Sequence, residues 1–532
     1  MVLSTPQTGK SGRPAVTLGL AYAALRAGNV VQARQMLQER LAQHPTDADA
    51  LEMLAEVAAG QRSFEEATML LRRAVAADPS PPRRMALVEH LRRYASPALA
   101  LKELEQLPRP LRDRYDIKGI EAGMRGVLGQ HDRQIELYQQ IARERPSEPG
   151  IWVSLGNVLK TVGRTGEAVK ALQRAIKAEA TFGESWWTLA NFKSFRFSDA
   201  EIQKMRQVLR GRLEPNDASN IHFALGKAYE DRADYEQSFS HYSAGNAIKA
   251  ESFQEEQKSV TGTVDESLAV FGRDFFVRTS GVGFAAPDPI FVVGLHRSGS
   301  TLVEQILASH PLVEGTTELA VMNSLRDRLA RSTGLSAPAT VAGLDTDRFA
   351  SIGEEYVEKS RAFRQTERPY FVDKMPGNWM NVPLIRAALP NAKIIDARRH
   401  PMACGFSNFK QNYATGVGFS YGQETIGSFY HDYWRFMRHI DEVAPGAVHR
   451  LINERLIEDP EGEVRRLLDY IGLPFDPACL EFHKTERAIR TPSAEQVRKP
   501  INREGVDYWR HYEPWLGPLR ESLGPALEHW DD

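Results

Sequence analysis

The chain has 532 residues, 42% of them hydrophobic and 26% charged, a globular balance spread over more sequence than one ordinary core needs. Its 67 basic residues against 69 acidic ones leave a formal net charge of −2, so charge gives no reason to expect nucleic acid or an anionic membrane as the main partner. The two cysteines, Cys404 and Cys479, cannot make a disulfide framework and have no metal-ligand spacing around them, so both read as ordinary thiols and no metal is expected.

The first stretch, Met1 to Pro14, is small and polar, and no apolar segment of the secretory type follows it. No run of eighteen apolar residues occurs in the sequence, so no membrane span is expected and the default compartment is the cytoplasm. A helical period then sets in. Pro45 and Pro79 lie 34 residues apart, and each closes an apolar helical pattern. The clearest unit runs from Pro149 to about Thr181. Trp152, Leu155, Gly156 and Leu159 fall on one face of a first helix, Gly163 marks the turn, and Ala168, Leu172 and Ala175 line a second helix. Units before Pro79 (Leu51, Leu54, Ala55, Ala67, Leu71, Ala74) and before Pro45 (Ala21, Gly28, Ala33, Leu37) repeat the spacing, and a late unit has Leu225, Gly226, Tyr229, Ser238 and Tyr242. This resembles the tetratricopeptide repeat. About seven units are expected over 14–251, some of them degenerate, stacked into an all-α solenoid whose groove suits a protein or peptide partner.

After about Glu251 the helical period fades, and 252–286 reads as a linker closed by Pro287 and Pro289. Ile290 to Val293 is then a continuous apolar run, the signature of a buried parallel strand. It leads into Gly294-Leu295-His296-Arg297-Ser298-Gly299-Ser300-Thr301 and an amphipathic helix. A strand, a glycine-bearing loop and a helix N-terminus form an anion site, because backbone N–H groups converge there and the helix dipole favours negative charge. Ser300 stands where a Walker loop carries the Lys that reaches β- and γ-phosphates, so the loop suits a donor with one phosphate at this site and opposes a nucleotide kinase.

Residues 287–532 are expected to form an α/β, P-loop-like domain with a parallel sheet. The loop and four further motifs, together covering about 287–525, resemble the sulfotransferases, closest to the tyrosylprotein branch and to bacterial proteins that join such a domain to tetratricopeptide repeats. The second motif is Phe371-Val372-Asp373-Lys374-Met375-Pro376. The third runs from Ala392 through Arg398, Arg399, His400 and Pro401 to Ser407. The fourth is Val448 to Asp476, and the fifth is Arg490 to Ile501.

The resemblance implies transfer of a sulfuryl group from 3′-phosphoadenosine 5′-phosphosulfate to an acceptor hydroxyl, with no metal. In that scheme Arg297, Ser298, Gly299, Ser300 and Thr301 hold the 5′ end of the donor, Arg399 and Ser407 grip the 3′-phosphate, and Lys499 lies in the loop folding over the donor. Lys374 stabilises the leaving oxygen, Ser493 the transition state, and Glu318, twenty-one positions after Arg297, acts as base. His296, beside the loop, is the rival base; His310, His400 and His431 read as structural. The acceptor could be a protein tyrosine, a carbohydrate hydroxyl or a lipid-linked sugar. Leu319 to Met322, apolar where the tyrosylprotein branch is basic, does not support an acidic tyrosine motif. Three positions depart from the family: Gln411 (beside Lys410) where a third phosphate-gripping Arg is usual, Asn453 where Tyr is usual, and Tyr508 where tyrosylprotein sulfotransferases have Lys, with Arg503 or Arg510 as substitutes for its charge. A non-catalytic repeat scaffold with a nucleotide-binding domain is the alternative from another class.

Overall fold

The computed structural model describes residues 18–61, 63–94, 96–192, 194–252, 260–413, 417–485, 487 and 496–532. The chain forms two compact units, Met1–Val158 and Leu159–Asp532, divided inside the helix Pro149–Thr161.

In the first unit, helices Leu18–Arg26 and Val30–Gln43, Ala48–Gly60 and Phe64–Ala77, Pro81–Tyr94 and Pro97–Glu105, and Tyr115–Val127 and His131–Glu144 follow in pairs. The positions that the 34-residue period puts inside are inside. Ala21, Ala33, Leu37, Ala67 and Ala74 are buried, and Leu51, Leu54, Leu71 and Leu87 join one continuous apolar cluster. Small side chains at the contacts let paired helices approach, and stacking buries faces that one pair alone leaves in water.

The second unit opens with the rest of the repeat array: Thr165–Ala178, Gly183–Ala190, Asp199–Leu209, Pro215–Glu230 and Tyr235–Ser252. Gly163, at φ +82°, makes the turn before the first of these. Gly226 is needed for packing, since a Cβ there would come within 2.5 Å of the Tyr242 ring. Within 252–286, helices Thr261–Val270 and Arg273–Arg278 pack against the α/β elements: Thr261 Oγ1 donates to Asp432 Oδ2 (2.6 Å), and His439 Nε2 lies 3.0 Å from the Phe271 carbonyl.

A five-stranded, wholly parallel sheet follows: β1 (Pro289–Gly294), β2 (Val313–Thr317), β3 (Tyr370–Asp373), β4 (Lys393–Arg398) and β5 (His449–Ile452), in the order β2-β3-β1-β4-β5. Every residue of β1 is buried, as a central strand covered by helices on both faces requires. Its outward neighbours lead to opposite edges of the sheet, so the crevice at the carboxyl ends of β1 and β4 is a topological switch point, where ligands of open α/β sheets bind. Among the described residues no helix is long and apolar enough to cross a membrane.

Candidate active site

The loop leaving β1 turns sharply into the helix Ser300–Ala308. Gly294 has φ +136° and Gly299 φ +100°, and neither tolerates a side chain. A Cβ would lie 2.4 Å from the Ala397 carbonyl at the first and 2.7 Å from Asn453 Oδ1 at the second. Between them Arg297 has φ +68°, a left-handed conformation that costs energy in a residue with a Cβ and turns its side chain across the crevice. There Arg297 Nε donates to Ser407 Oγ (3.0 Å), on the helix Pro401–Phe409 that follows β4. Ser298, Ser300 and Thr301 are buried in the loop and first helical turn.

Arg399 comes from the β4 end. One guanidinium nitrogen donates to the Arg297 carbonyl (3.1 Å) and another to the Gly505 carbonyl. Burial pulls its pKa down, and the charge of Arg297 acts in the same direction. Its neighbour Arg398 has a different surrounding. It is fully buried in an ion pair with Asp396 (2.7 Å), and it donates to the Trp530 carbonyl (2.8 Å). Arg398 ends β4 and serves the core, while Arg399, the first residue past the strand, serves the crevice.

At the ends of β2 and β3 the geometry brings Glu318 and Lys374 together. Lys374 is 1% exposed, and its ammonium pairs directly with Glu318 Oε1, while the Glu318 side chain keeps contact with solvent. His296 sits close by with its ring partly buried against Tyr413 and Phe419. Desolvation pulls its pKa down to about 4, with Glu318 opposing and Lys374 and Arg297 reinforcing the shift. The other three histidines make backbone contacts or stack. His310 Nε2 lies 3.0 Å from the Pro474 carbonyl and His431 Nδ1 3.2 Å from that of Leu523; His400 stacks on Trp509.

The departures from the family motifs have local reasons. Asn453 begins the helix Asn453–Glu458 after β5 and packs against Gly299. Gln411 is buried and donates to the Asn412 carbonyl (3.3 Å). Lys410 pairs with Glu230 of the last repeat (3.0 Å) beneath the Tyr508 ring, so this lysine and Tyr508 both face the repeat helices. Arg503 and Arg510 pair on the surface with Glu458 and Asp507. Lys499 is exposed. Ser493 lies outside the described residues. Asp373, quoted within a motif but given no role there, is a fully buried carboxyl between these elements; only its place before Lys374 marked it in the sequence.

Residues 289–477 match the model of the Sulfotransferase family, and residues 18–82 and 149–182 match models of the Tetratricopeptide repeat. The chain therefore combines tetratricopeptide repeats with a domain of the sulfotransferase family. A relative from Aquifex aeolicus (strain VF5), described as an uncharacterized protein, is 30% identical over 404 residues, which is 74% of this chain and 52% of the relative. The putative protein-tyrosine sulfotransferase of Caenorhabditis briggsae is 25% identical over 226 residues, 41% of this chain and 80% of the relative. The protein-tyrosine sulfotransferase of Drosophila melanogaster is 24% identical over 234 residues, 41% of this chain and 46% of the relative. The chain thus spans about half the length of the Aquifex and Drosophila relatives. Among solved structures, the sulfotransferase domain from the Synechococcus PCC 7002 olefin synthase aligns over 42% of this chain and 88% of its own, at 23% identity and a TM-score of 0.32.

Proposed function

We propose that the chain is a sulfotransferase that moves the sulfuryl group of 3′-phosphoadenosine 5′-phosphosulfate to an acceptor hydroxyl. One observation carries the reading. A glycine loop, Arg297, Arg399 and Ser407 converge at one crevice, and the Lys374–Glu318 pair stands at the neighbouring strand ends. Unspent donors support an anion there: Ser298 Oγ and Arg399 Nε are buried and have no hydrogen-bond partner among the described residues.

The donor supplies the sulfuryl group and a phosphate that leaves with the bridging oxygen. Arg297, Ser298, Gly299, Ser300 and Thr301 bind the 5′ end through the loop amides and hydroxyls, while Arg399 and Ser407 bind the 3′-phosphate. Lys374 stabilises charge growing on the bridging oxygen as the sulfur–oxygen bond to phosphate breaks. Glu318 takes the acceptor's proton as the new sulfur–oxygen bond forms, leaving 3′-phosphoadenosine 5′-phosphate as product. Because Lys374 pairs with Glu318 here, donor binding competes for the ammonium and releases the carboxylate for its role as base. Ser493 and Lys499 keep their proposed roles through the resemblance alone.

A protein tyrosine is the acceptor this reading favours, supported by the names of the Caenorhabditis and Drosophila relatives. The repeats are proposed to present a groove to a protein partner, with the cytoplasm as the compartment. The donor is tested by thermal unfolding. Ligand that binds only the native state raises the melting temperature, so 3′-phosphoadenosine 5′-phosphate should raise it and ATP with Mg²⁺ should do much less. Equal stabilisation by ATP, or a strict need for Mg²⁺, would assign the site to a kinase instead.

A further inference from the structure

The Lys374–Glu318 pair is held by a second pair of residues, one step along each strand. Asp373 is the last residue of β3 and 0% exposed. Its Oδ1 accepts from the backbone N–H of Leu319 (3.3 Å), and its Oδ2 accepts from the Tyr356 hydroxyl (2.8 Å) on the helix Thr346–Arg361. Two adjacent residues of one strand end, Asp373 and Lys374, thus grip two adjacent residues just beyond another, Leu319 and Glu318. The sheet itself does not supply this hold. The β2–β3 ladder shifts register between Gly315 and Thr317, and its last pairing sets Thr317 opposite Asp373. From Glu318 onward the chain has left the strand.

We propose that Asp373 is a positioning residue for sulfuryl transfer, fixing the Glu318 turn against Lys374 so that base and charge-stabilising ammonium keep a set spacing. The proposal rests on the reading of Glu318 and Lys374 given above. A carboxyl buried this completely is costly unless its oxygens are used, and both are. The groups around it come from four elements. Tyr356 donates from its helix; Lys374 follows just past the end of β3; Glu318 stands beyond β2, paired to that lysine; Glu304, on the helix after β1, repels while paired to Arg487 (2.8 Å). Burial, the largest influence, pushes the Asp373 pKa up from 3.8 to about 7. The hydrogen bonds from Tyr356 and Leu319 and the charge of Lys374 pull it down, and Glu304 pushes it up. Folding therefore takes up a proton between those two values, and the stability this group contributes falls as pH rises through that window. The ionised form accepts both hydrogen bonds at once, so positioning strengthens as pH passes about 7.

Asp373→Asn tests this, because an amide can offer only one acceptor oxygen to the two donors. Turnover should fall about 10- to 100-fold, the scale of a misplaced reacting group. Affinity for 3′-phosphoadenosine 5′-phosphate should stay within about twofold, and the rise in turnover near pH 7 should vanish. Hydrogen exchange at the Leu319 amide, read on the same protein, should accelerate whether or not the acceptor is known. Tyr356→Phe keeps the Leu319 contact and should lower turnover less, so it stands in if Asp373→Asn does not fold. An active wild type matched across the pH range by a folded Asp373→Asn protein overturns the positioning role and leaves the sulfotransferase reading intact. An inactive wild type with a Leu319 amide that opens on substitution overturns that reading, and with it the catalytic meaning of the bracket.

Discussion

At Arg297 a backbone angle of φ +68° and a hydrogen bond to Ser407 occur in one residue, and the carbonyl of that residue receives Arg399. The two arginines therefore share a crevice but reach it from different strand ends, which suits two phosphate ends of one ligand. Arg297→Ala and Arg399→Ala should each weaken binding of 3′-phosphoadenosine 5′-phosphate by roughly 1.5–3 kcal/mol, the cost of a lost charge-assisted contact. Calorimetry with the ligand lacking its 3′-phosphate separates them: the Arg399 penalty should disappear and the Arg297 penalty should persist. Equal responses to the trimmed ligand would show that the site is divided differently. The sequence named both arginines, since a loop after an apolar run and an Arg-Arg-His-Pro stretch at a strand end are local signals. It could not distinguish Arg398 from Arg399 by environment, because adjacent residues at a strand end differ only in the face that packing gives them. Nor could it single out Asp373, whose identity is ordinary and whose complete burial arises from the fold.

Among the elements, the last repeat helices do more than stack. Asn246 Nδ2 donates to the Phe409 carbonyl (2.8 Å), Asn412 Nδ2 donates to Asn220 Oδ1 (2.7 Å), and the Trp187 indole donates to the Asn412 carbonyl (3.2 Å). Repeat side chains thus hold the backbone at the end of the helix that carries Ser407. Asn246→Ala leaves the Phe409 carbonyl without that buried donor, so stability to urea should fall by about 1–3 kcal/mol. Affinity for 3′-phosphoadenosine 5′-phosphate should fall as well, and fall less for the ligand without a 3′-phosphate, because the displaced helix bears Ser407, proposed to grip the 3′-phosphate. Unchanged unfolding and binding would show these contacts to be incidental. The 34-residue period made the repeats legible, since small and large apolar residues recur at fixed offsets. The fixing of 409–412 was not legible. Asn220 and Asn246 are polar residues at inward positions, a sign that something polar packs there, but partners more than 150 residues away leave no local pattern.

For the molecule as a whole, the parallel sheet and the repeat array were readable from periodicity, and the sheet order was not. Strand order follows from which crossovers pack together, and that is settled by long-range contacts. The compact units divide at Val158 and Leu159, within the repeat array, whereas the change of period falls near residue 251. Period records local helix chemistry, and compactness records what packs on what. The later repeats keep the period yet pack on the end of the helix after β4 and on the C-terminal segment through Glu230, Asn246 and Ser238. The order β2-β3-β1-β4-β5 sets the two proposed phosphate grips at one switch point and the Lys374–Glu318 pair beside it, and that arrangement is what the proposed chemistry needs. The decisive measurement is mass spectrometry of hydroxyl-bearing products after incubating the protein with host extract and donor labelled in its sulfuryl group, wild type beside Glu318→Gln. Wild type should place the label on an acceptor hydroxyl. Glu318→Gln should bind 3′-phosphoadenosine 5′-phosphate normally and turn over about 10²–10⁴ more slowly, the span of a lost general base. A wild-type protein that binds 3′-phosphoadenosine 5′-phosphate but labels no hydroxyl in any fraction would contradict the account.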